Sequence, residues 1–371
     1  MQSFLILYII FTFTVSFFVC IFLIPYVHRI GLQLNVVDKK DERKFNINNQ
    51  VRLGGLAIII PFYLSIFLSY LTNYFNNQLL NFGFMEFIPL MVVIIAGGLS
   101  FYTLGLCDDL FTLSPFLRLA IQITIILVLS SFGLTIDING FLENIFIADN
   151  SNLESTIGII LSVLLIAGVI NSFNWIDGLD GLASGVTGIV SVGYLIICLL
   201  EGNTIVAIFA SSIAGASFGF LKYNFHPSKI LMGDGGSYFI GFINIVVGLM
   251  TICSIENSNL IYFSLDKLYI LLIILFLPIF DMFVVILRRI GNGKSPFYPD
   301  RTHLHHLFCD KGLSQKRTVI LIYSITQWCV ALAINLNNFP NNYNILCIST
   351  IFLITMILII FSKNNFSFFN K

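Results

Sequence analysis

Eleven apolar stretches, at approximately 3–27, 53–72, 88–106, 116–134, 157–174, 180–200, 204–222, 238–254, 268–290, 318–337 and 343–362, leave this chain few folds to choose from. Each is close to the ~17–25 residues a helix needs to cross the hydrocarbon core of a bilayer. A backbone in hydrocarbon finds no water to bond, so spanning segments of this length must be helical. Only 10% of the 371 residues are charged and 57% are hydrophobic, which excludes a soluble core wrapped in a polar shell. The expectation is an all-α, polytopic membrane protein of about eleven transmembrane helices, folded as one membrane-embedded domain over residues 1–371. The first stretch has no basic leader and no small-residue cleavage site, so it reads as a retained span and not a signal peptide.

Sidedness follows from the basic residues. Of the 19 Lys and Arg, all but Lys267 fall on one set of alternate loops, and short loops rich in Lys and Arg stay in the cytoplasm. The N-terminus is therefore expected outside and the C-terminus inside. All five histidines share the cytoplasmic side, whereas the zero net charge says little about partners. The seven cysteines show no CxxC spacing and fall mostly within spans, which argues against disulfides and a zinc knot.

The polar groups that remain cluster on those cytoplasmic loops, 28–52, 107–117, 171–181, 222–237 and 288–317. The densest is Asn171-Ser-Phe-Asn174-Trp-Ile-Asp177-Gly178-Leu-Asp180-Gly181, set between two spans. Asn171, Asn174 and Asp177 recur every three residues at the end of an arriving helix, so they point to neighbouring positions. Gly178 and Gly181 break the helix, which lets Asp180 swing back towards the other three. Four hard oxygen donors facing one volume suit Mg²⁺, a metal that keeps waters and bridges phosphates. A helix end capped by Asn and Asp is the plainer reading, but caps need fewer groups.

The other loops carry matching signals. Lys44 and Arg52 belong to a charged first loop that either sets topology or holds a phosphate. Asp108-Asp109, at the end of the third span, are costly to keep ionised together unless a cation lies opposite. Ser114-Pro115 read as a helix start. Gly181–Gly185 and Gly215–Gly219 have the spacing of close helix packing. Gly233-Asp234-Gly-Gly-Ser237 lets backbone approach a ligand, with Ser237 as a candidate cap for the eighth helix, or else forms a tight turn. Asp281 lies inside a span, where an ionisable group is functional or paired. In Pro299-Asp300-Arg301-Thr-His303-Leu-His305-His306, a helix would put His303 and His306 on one face and His305 elsewhere. A zinc site using Cys309 competes there with imidazoles and Arg301 gripping a diphosphate, which suits the surroundings better. The outer loops 73–87 and 135–156 carry no chemistry that can be named.

Taken together, Asp108-Asp109, Asn171-x-x-Asn174-x-x-Asp177-Gly-x-Asp180-Gly, Gly233-Asp234-Gly-Gly-Ser237 and Pro299-Asp300-Arg301-x-His303-x-His305-His306 resemble the polyprenyl-phosphate N-acetylhexosamine-1-phosphate transferases, glycosyltransferase family 4. The motifs run in the family's order from roughly residue 38 to 320, and the histidine motif looks like the WecA/TagO-like branch. Three positions depart from the pattern. Thr112 stands where a third Asp is common, and Asn46 and Gln50 stand where a His and a Pro are common.

The resemblance implies a multi-pass enzyme of the inner or plasma membrane that transfers HexNAc-1-phosphate, most simply GlcNAc-1-phosphate, from a UDP-sugar to polyprenyl (undecaprenyl) phosphate. UMP is released, and the product starts an envelope glycan such as teichoic acid or O-antigen. It implies Mg²⁺, with Mn²⁺ as an alternative, held by Asp234 and Asn174. Asp180, with Asn171 and Asp177, would face the uridine, and Arg301, His303, His305 and His306 the diphosphate. Asp108 and Asp109 would position the acceptor or the metal, or serve as base or nucleophile. A base contributes little, because a phosphate monoester with a second pKa near ~6 is already mostly dianionic at pH 7. The partners implied are the UDP-HexNAc donor, the lipid phosphate and the membrane, with no nucleic acid; a homodimer stays open. Phospho-MurNAc-pentapeptide transfer is an alternative within the family. A secondary transporter is the alternative outside it, although transporter sites lie near the midplane and these groups gather on one face.

Overall fold

Each apolar stretch is helical, as its backbone requires. The computed structural model describes residues 2–37, 50–75, 84–137, 151–252, 262–264, 267–298, 302–339 and 343–362. Thirteen helices are numbered here in chain order: α1 Gln2–Gln33, α2 Leu56–Phe75, α3 Phe84–Phe111, α4 Pro115–Ser130, α5 Ser151–Ile176, α6 Leu182–Glu201, α7 Thr204–Asn224, α8 Gly233–Ile252, α9 Leu268–Ile274, α10 Phe276–Gly291, α11 Leu304–Asp310, α12 Gln315–Asn338 and α13 Asn344–Ser362. Two three-residue strands, Thr135–Asp137 and Tyr262–Ser264, pair in parallel, with Ile136 opposite Phe263.

Among the described residues, eight helices have the length and apolarity to cross a membrane, and a ninth crossing arises if α9 and α10 form one span. This is a multi-pass membrane protein. The expected stretch 268–290 is broken at Leu275, where α9 and α10 meet at 79°. Pro278 supplies a reason, since it offers no N–H to the Ile274 carbonyl four residues back and its ring crowds that carbonyl. The stretches 116–134 and 343–362 carry the shorter apolar helices Pro115–Ser130 and Asn344–Ile360. Ser114 caps α4 as expected, its hydroxyl accepting from the Leu117 amide, with Pro115 in the first turn.

The middle of the bundle is α8, which is buried along its length and contacted by α2, α3, α5, α6, α7 and α9. On its far side α1 lies along α7. A Cβ added to Gly215 or Gly219 would come within 2.5 Å of the Phe13 carbonyl or 2.7 Å of the Phe17 carbonyl, so this small-xxx-small pair does seat a neighbouring backbone. Gly181 does not. With φ +82° it is the residue that turns the chain into α6.

Two helix boundaries differ from expectation in a way that builds the site. Helix α3 runs on to Phe111, so Asp108 and Asp109 sit on its last turn and not in a loop. Helix α8 starts at Gly233, so Asp234 is on its first turn, and Ser237 lies inside the helix with its hydroxyl bonded to the Asp234 carbonyl, not at a cap.

Candidate active site

The end of α3 and the start of α8 meet so closely that side chains from both share one small volume. A Cβ on Gly105 would stand 2.3 Å from the Asp234 carbonyl oxygen. Gly233 has φ +77°, and a Cβ there would lie 2.3 Å from the Arg52 carbonyl oxygen and 2.7 Å from Asp109 Oδ2. In this contact the Gly235 amide donates to Asp109 Oδ2 at 3.2 Å. One guanidinium nitrogen of Arg52 reaches Asp109 Oδ1 at 3.1 Å and Asp234 Oδ1 at 3.5 Å. Asn174, on the last turns of α5, donates its amide to Asp234 Oδ1 and to Ser237 Oγ, each at 2.9 Å.

Asp177 follows just beyond α5. Burial pushes its carboxyl well above the usual carboxylate range; Asp234 adds to that, Arg52 opposes it, and Asp109 and Asp180 add further. Asp109 and Asp234 share one guanidinium, and Asp177 lies near enough to feel the charge of Asp234 and Arg52, an acidic grouping that a cation would relieve. Among the described residues no three His, Cys, Asp or Glu side chains form a ready-made metal cluster. Asp234, whose side chain is 25% exposed against 1% for Asp109, is with Asn174 the accessible donor pair, and a metal held there would complete its shell with water or phosphate oxygens. That set fits Mg²⁺, which takes few protein ligands and oxygen ones.

Beside this centre, Asp108 points the other way. Its Oδ2 pairs with Arg118 of α4 at 2.5 Å and its Oδ1 accepts from the Leu113 amide at 2.9 Å. Arg118 lines a cavity of about 250 Å³ together with Pro115, Asn171, Trp175, Arg289 and His303. Asn171 donates to Gln122 Oε1 at 2.7 Å and to its own helix at the Ala167 carbonyl. The Arg289 guanidinium stacks 4.8 Å over the Trp175 ring.

On the opposite flank, Asp180 is held by the 226–228 turn. His226 Nδ1 meets its Oδ2 at 2.8 Å, the Ser228 amide donates to the same oxygen at 3.1 Å, and the Ser228 hydroxyl donates to Oδ1 at 2.8 Å. Gln50 donates its amide to the Ser228 carbonyl at 2.6 Å, so the position where the family often has a Pro buttresses this turn. The expected convergence of four oxygen side chains is therefore split. Asn174 and Asp177 face Asp234, whereas Asn171 sits a turn earlier on α5 beside Gln122, and Asp180 is drawn aside by Ser228 and His226.

The histidine stretch folds otherwise than a helix from residue 303 would have it. His303 is extended and precedes α11, so the three rings form one cluster, with centroids 5.6 Å apart for His303–His305, 4.3 Å for His305–His306 and 6.5 Å for His303–His306. His303 Nδ1 pairs with Asp281 Oδ2 at 2.9 Å, and the Leu304 amide donates to Asp281 Oδ1 at 2.7 Å, so Asp281 of α10 is paired, as an ionisable group inside a span should be. His305 is buried and closes over Gly178, where a Cβ would sit 2.4 Å from its Nε2. Burial, then His306 and His303, holds it well below the ordinary histidine range. Cys309 faces Thr318 at 3.5 Å, and no zinc cluster forms among the described residues.

Of the residues singled out in the sequence, Arg52, Asp109, Asn174, Asp177 and Asp234 come together, and His303, His305 and His306 cluster beside Gly178 and Trp175. Lys44 and Arg301, with Asn46, lie outside the described residues. Arg118, Gln122, Trp175, His226 and Arg289 were missed. Single Arg, Gln, Trp or His residues carry no spacing signal, although Arg118 and Arg289 each lie next to a span end where basic residues are common for topology alone.

The family model described as glycosyl transferase family 4 matches residues 91–252. Among curated proteins, the chain is 33% identical to the probable undecaprenyl-phosphate N-acetylglucosaminyl 1-phosphate transferase of Bacillus subtilis, over 85% of this chain and 82% of that one. It is 30% identical to the decaprenyl-phosphate N-acetylglucosaminephosphotransferase of Mycobacterium leprae, over 78% of this chain and 74% of that one. It is 26% identical to the undecaprenyl-phosphate alpha-N-acetylglucosaminyl 1-phosphate transferase of Escherichia coli K12, over 80% and 75%.

Proposed function

The chain belongs to glycosyl transferase family 4, and from that premise we propose that it transfers N-acetylglucosamine-1-phosphate from UDP-GlcNAc to a polyprenyl phosphate in the plasma membrane. A phosphate oxygen of the lipid attacks the β-phosphorus of the donor, the bond to the α-phosphate oxygen breaks, and UMP leaves. The product is polyprenyl-diphospho-GlcNAc. The names of all three relatives specify N-acetylglucosamine, which favours that sugar over phospho-MurNAc-pentapeptide and the enzyme reading over transport. For the acceptor, undecaprenyl phosphate is the first choice.

The observation that carries this reading is the Arg52 guanidinium between Asp109 and Asp234, with Asn174 on the same Asp234 oxygen. Two anionic reactants must be brought together, and catalysis of phosphoryl transfer is mostly positioning and charge stabilisation. Mg²⁺, or Mn²⁺ in its place, would be held by Asp234 and Asn174 and supplies charge neutralisation between the phosphates. Arg52 keeps the two carboxylates oriented towards one another and offers a positive group to the donor phosphates. Asp109, anchored by the Gly235 amide, holds the first turn of α8 against α3 and so fixes where Asp234 faces. Arg301, His303 and His306 complete the grip on the diphosphate, while His305 packs the floor over Gly178. Asp180, Asp177 and Asn171 border the donor site, and Lys44 of the charged first loop is a candidate to hold a phosphate.

In the membrane we place eleven crossings, with the N-terminus outside, the C-terminus cytoplasmic and the whole site on the cytoplasmic face of a single domain. The confinement of all Lys and Arg but Lys267 to one set of loops supports this, and reporter fusions at the two termini test it. For the reaction, UMP release by purified protein in detergent with undecaprenyl phosphate, Mg²⁺ and a panel of UDP-HexNAc donors is decisive. Release that depends on lipid and metal and disappears in Asp234→Ala is expected. Absence of UMP from every donor in folded protein would overturn the assignment.

A further inference from the structure

Asp281 is a buried carboxylate in an otherwise apolar stretch of α10. Both of its oxygens are committed to the histidine segment: Oδ2 to His303 Nδ1 at 2.9 Å and Oδ1 to the Leu304 amide at 2.7 Å. The second bond satisfies one of the free N–H groups at the start of α11. The first decides the chemistry of the ring. An ionised carboxylate can only accept, so the shared proton belongs to Nδ1, and Nε2 is the nitrogen left for the site.

The surroundings hold the ring as firmly as the bond does. The Trp175 ring meets His303 edge-on at 5.6 Å, and the His305 ring stacks on it at 5.6 Å with 13° between planes. Farther along α10, Arg288 donates to the Thr302 carbonyl at 2.8 Å and Arg289 to the Pro296 carbonyl at 2.5 Å, so one helix grips the segment leading into His303 at three points. His303 in turn lines the cavity shared with Arg118 and Arg289.

We propose that Asp281 is a positioning residue for the transfer reaction, fixing the proton of His303 on Nδ1 and presenting its Nε2 to the phosphates. The inference rests on the reading of this end of the bundle as the phosphotransfer site. Carboxylates that orient metal-ligating histidines cost about 10–100-fold in metal affinity or activity when replaced, and an effect of that order is expected here. Asp281→Asn is the informative variant. Its amide oxygen can still accept from Leu304, which preserves the helix start, while its NH₂ faces Nδ1 and moves the ring proton to Nε2.

The full-length Asp281→Asn, His303→Ala and double variants would be compared with wild type for UMP release, kcat and KM for UDP-GlcNAc, and Tm in the same detergent. The expected result is a loss of at least about tenfold in kcat for Asp281→Asn with little change in KM or Tm, and a double variant no slower than His303→Ala within about twofold. An Asp281→Asn enzyme within twofold of wild type, or a double variant whose loss is the product of the two single losses, would overturn the proposal. His303→Asn tests it from the other side, because its amide reproduces the donor to Asp281 but has no counterpart of Nε2. That variant should fold and lose kcat, and full activity in it refutes the role given to Nε2. Wild-type protein that releases no UMP would sink the reading of function itself, whereas an active wild type with an unimpaired Asp281→Asn sinks this inference alone.

Discussion

Asp108 and Asp109 are adjacent in the chain and serve different neighbours: Asp108 binds Arg118 and the Leu113 amide, while Asp109 binds Arg52 and the Gly235 amide. Consecutive residues on a helix point about 100° apart, which is why one carboxylate faces α4 and the other α8. The two therefore fail differently. Asp109→Ala removes the partner of Arg52 beside Asp234 and is expected to lower kcat by about 10²–10³-fold. Asp108→Asn frees Arg118 at the cavity wall. With a charged hydrogen bond contributing about 1.5–3 kcal/mol, it should raise the KM for the lipid phosphate roughly tenfold while sparing the KM for the UDP-sugar. Steady-state kinetics with each substrate varied separately checks the difference.

Arg52 neutralises part of the charge on Asp109 and Asp234, so removing it has opposite effects on metal binding and on catalysis. Arg52→Ala should increase the Tm gained on adding Mg²⁺ while cutting UMP release at least about tenfold, because two carboxylates then face the metal with no competing cation. Arg52→Lys should recover part of the loss, since a single Arg52 nitrogen meets both carboxylates and one ammonium can do the same. Thermal shift against Mg²⁺ concentration, run beside the activity assay, reads both effects.

His305 gives the protein a sensitivity to acid. Its folded-state pKa is depressed by burial, so between the ordinary value of 6.5 and that lower value the unfolded chain binds a proton the folded one does not. Stability is then complete above about pH 6.5 and is lost as pH falls through the folded pKa. Wild-type Tm in detergent should drop between pH 7 and pH 5, and His305→Gln should show a shallower drop over the same range.

The packing of α1 on α7 depends on Gly215 and Gly219, where any side chain would meet the backbone of α1. Gly215→Val should destabilise by about 1–3 kcal/mol through overpacking, well away from the site. It should lower Tm and yield while leaving the kcat of the surviving folded enzyme close to wild type. A kcat loss in fully folded Gly215→Val protein would tie α1 to catalysis instead.

Much of the site could be read in the chain because polar groups inside a membrane protein are expensive and stand out. Asp109, Asp234, Asn174 and the three histidines were visible on that ground. Their helical context was not, since a hydropathy run ends where polarity begins, whereas the backbone helix continues to Phe111 and starts again at Gly233. The split of Asn171 and Asp180 away from Asn174 and Asp177 was also hidden. Spacing along one helix sets direction, but Gln122, Ser228 and His226, which capture those side chains, come from other parts of the chain.

By itself the sequence determined that this protein is a helical membrane protein and that its polar motifs belong to a phosphotransferase family. These follow from hydrophobicity, charge and local spacing, all properties of neighbouring residues. Only the tertiary structure decided that Arg52 stands between Asp109 and Asp234, and that Asp281 holds His303. Those relationships join residues 22 to more than a hundred positions apart, so no pattern of neighbouring residues could specify them.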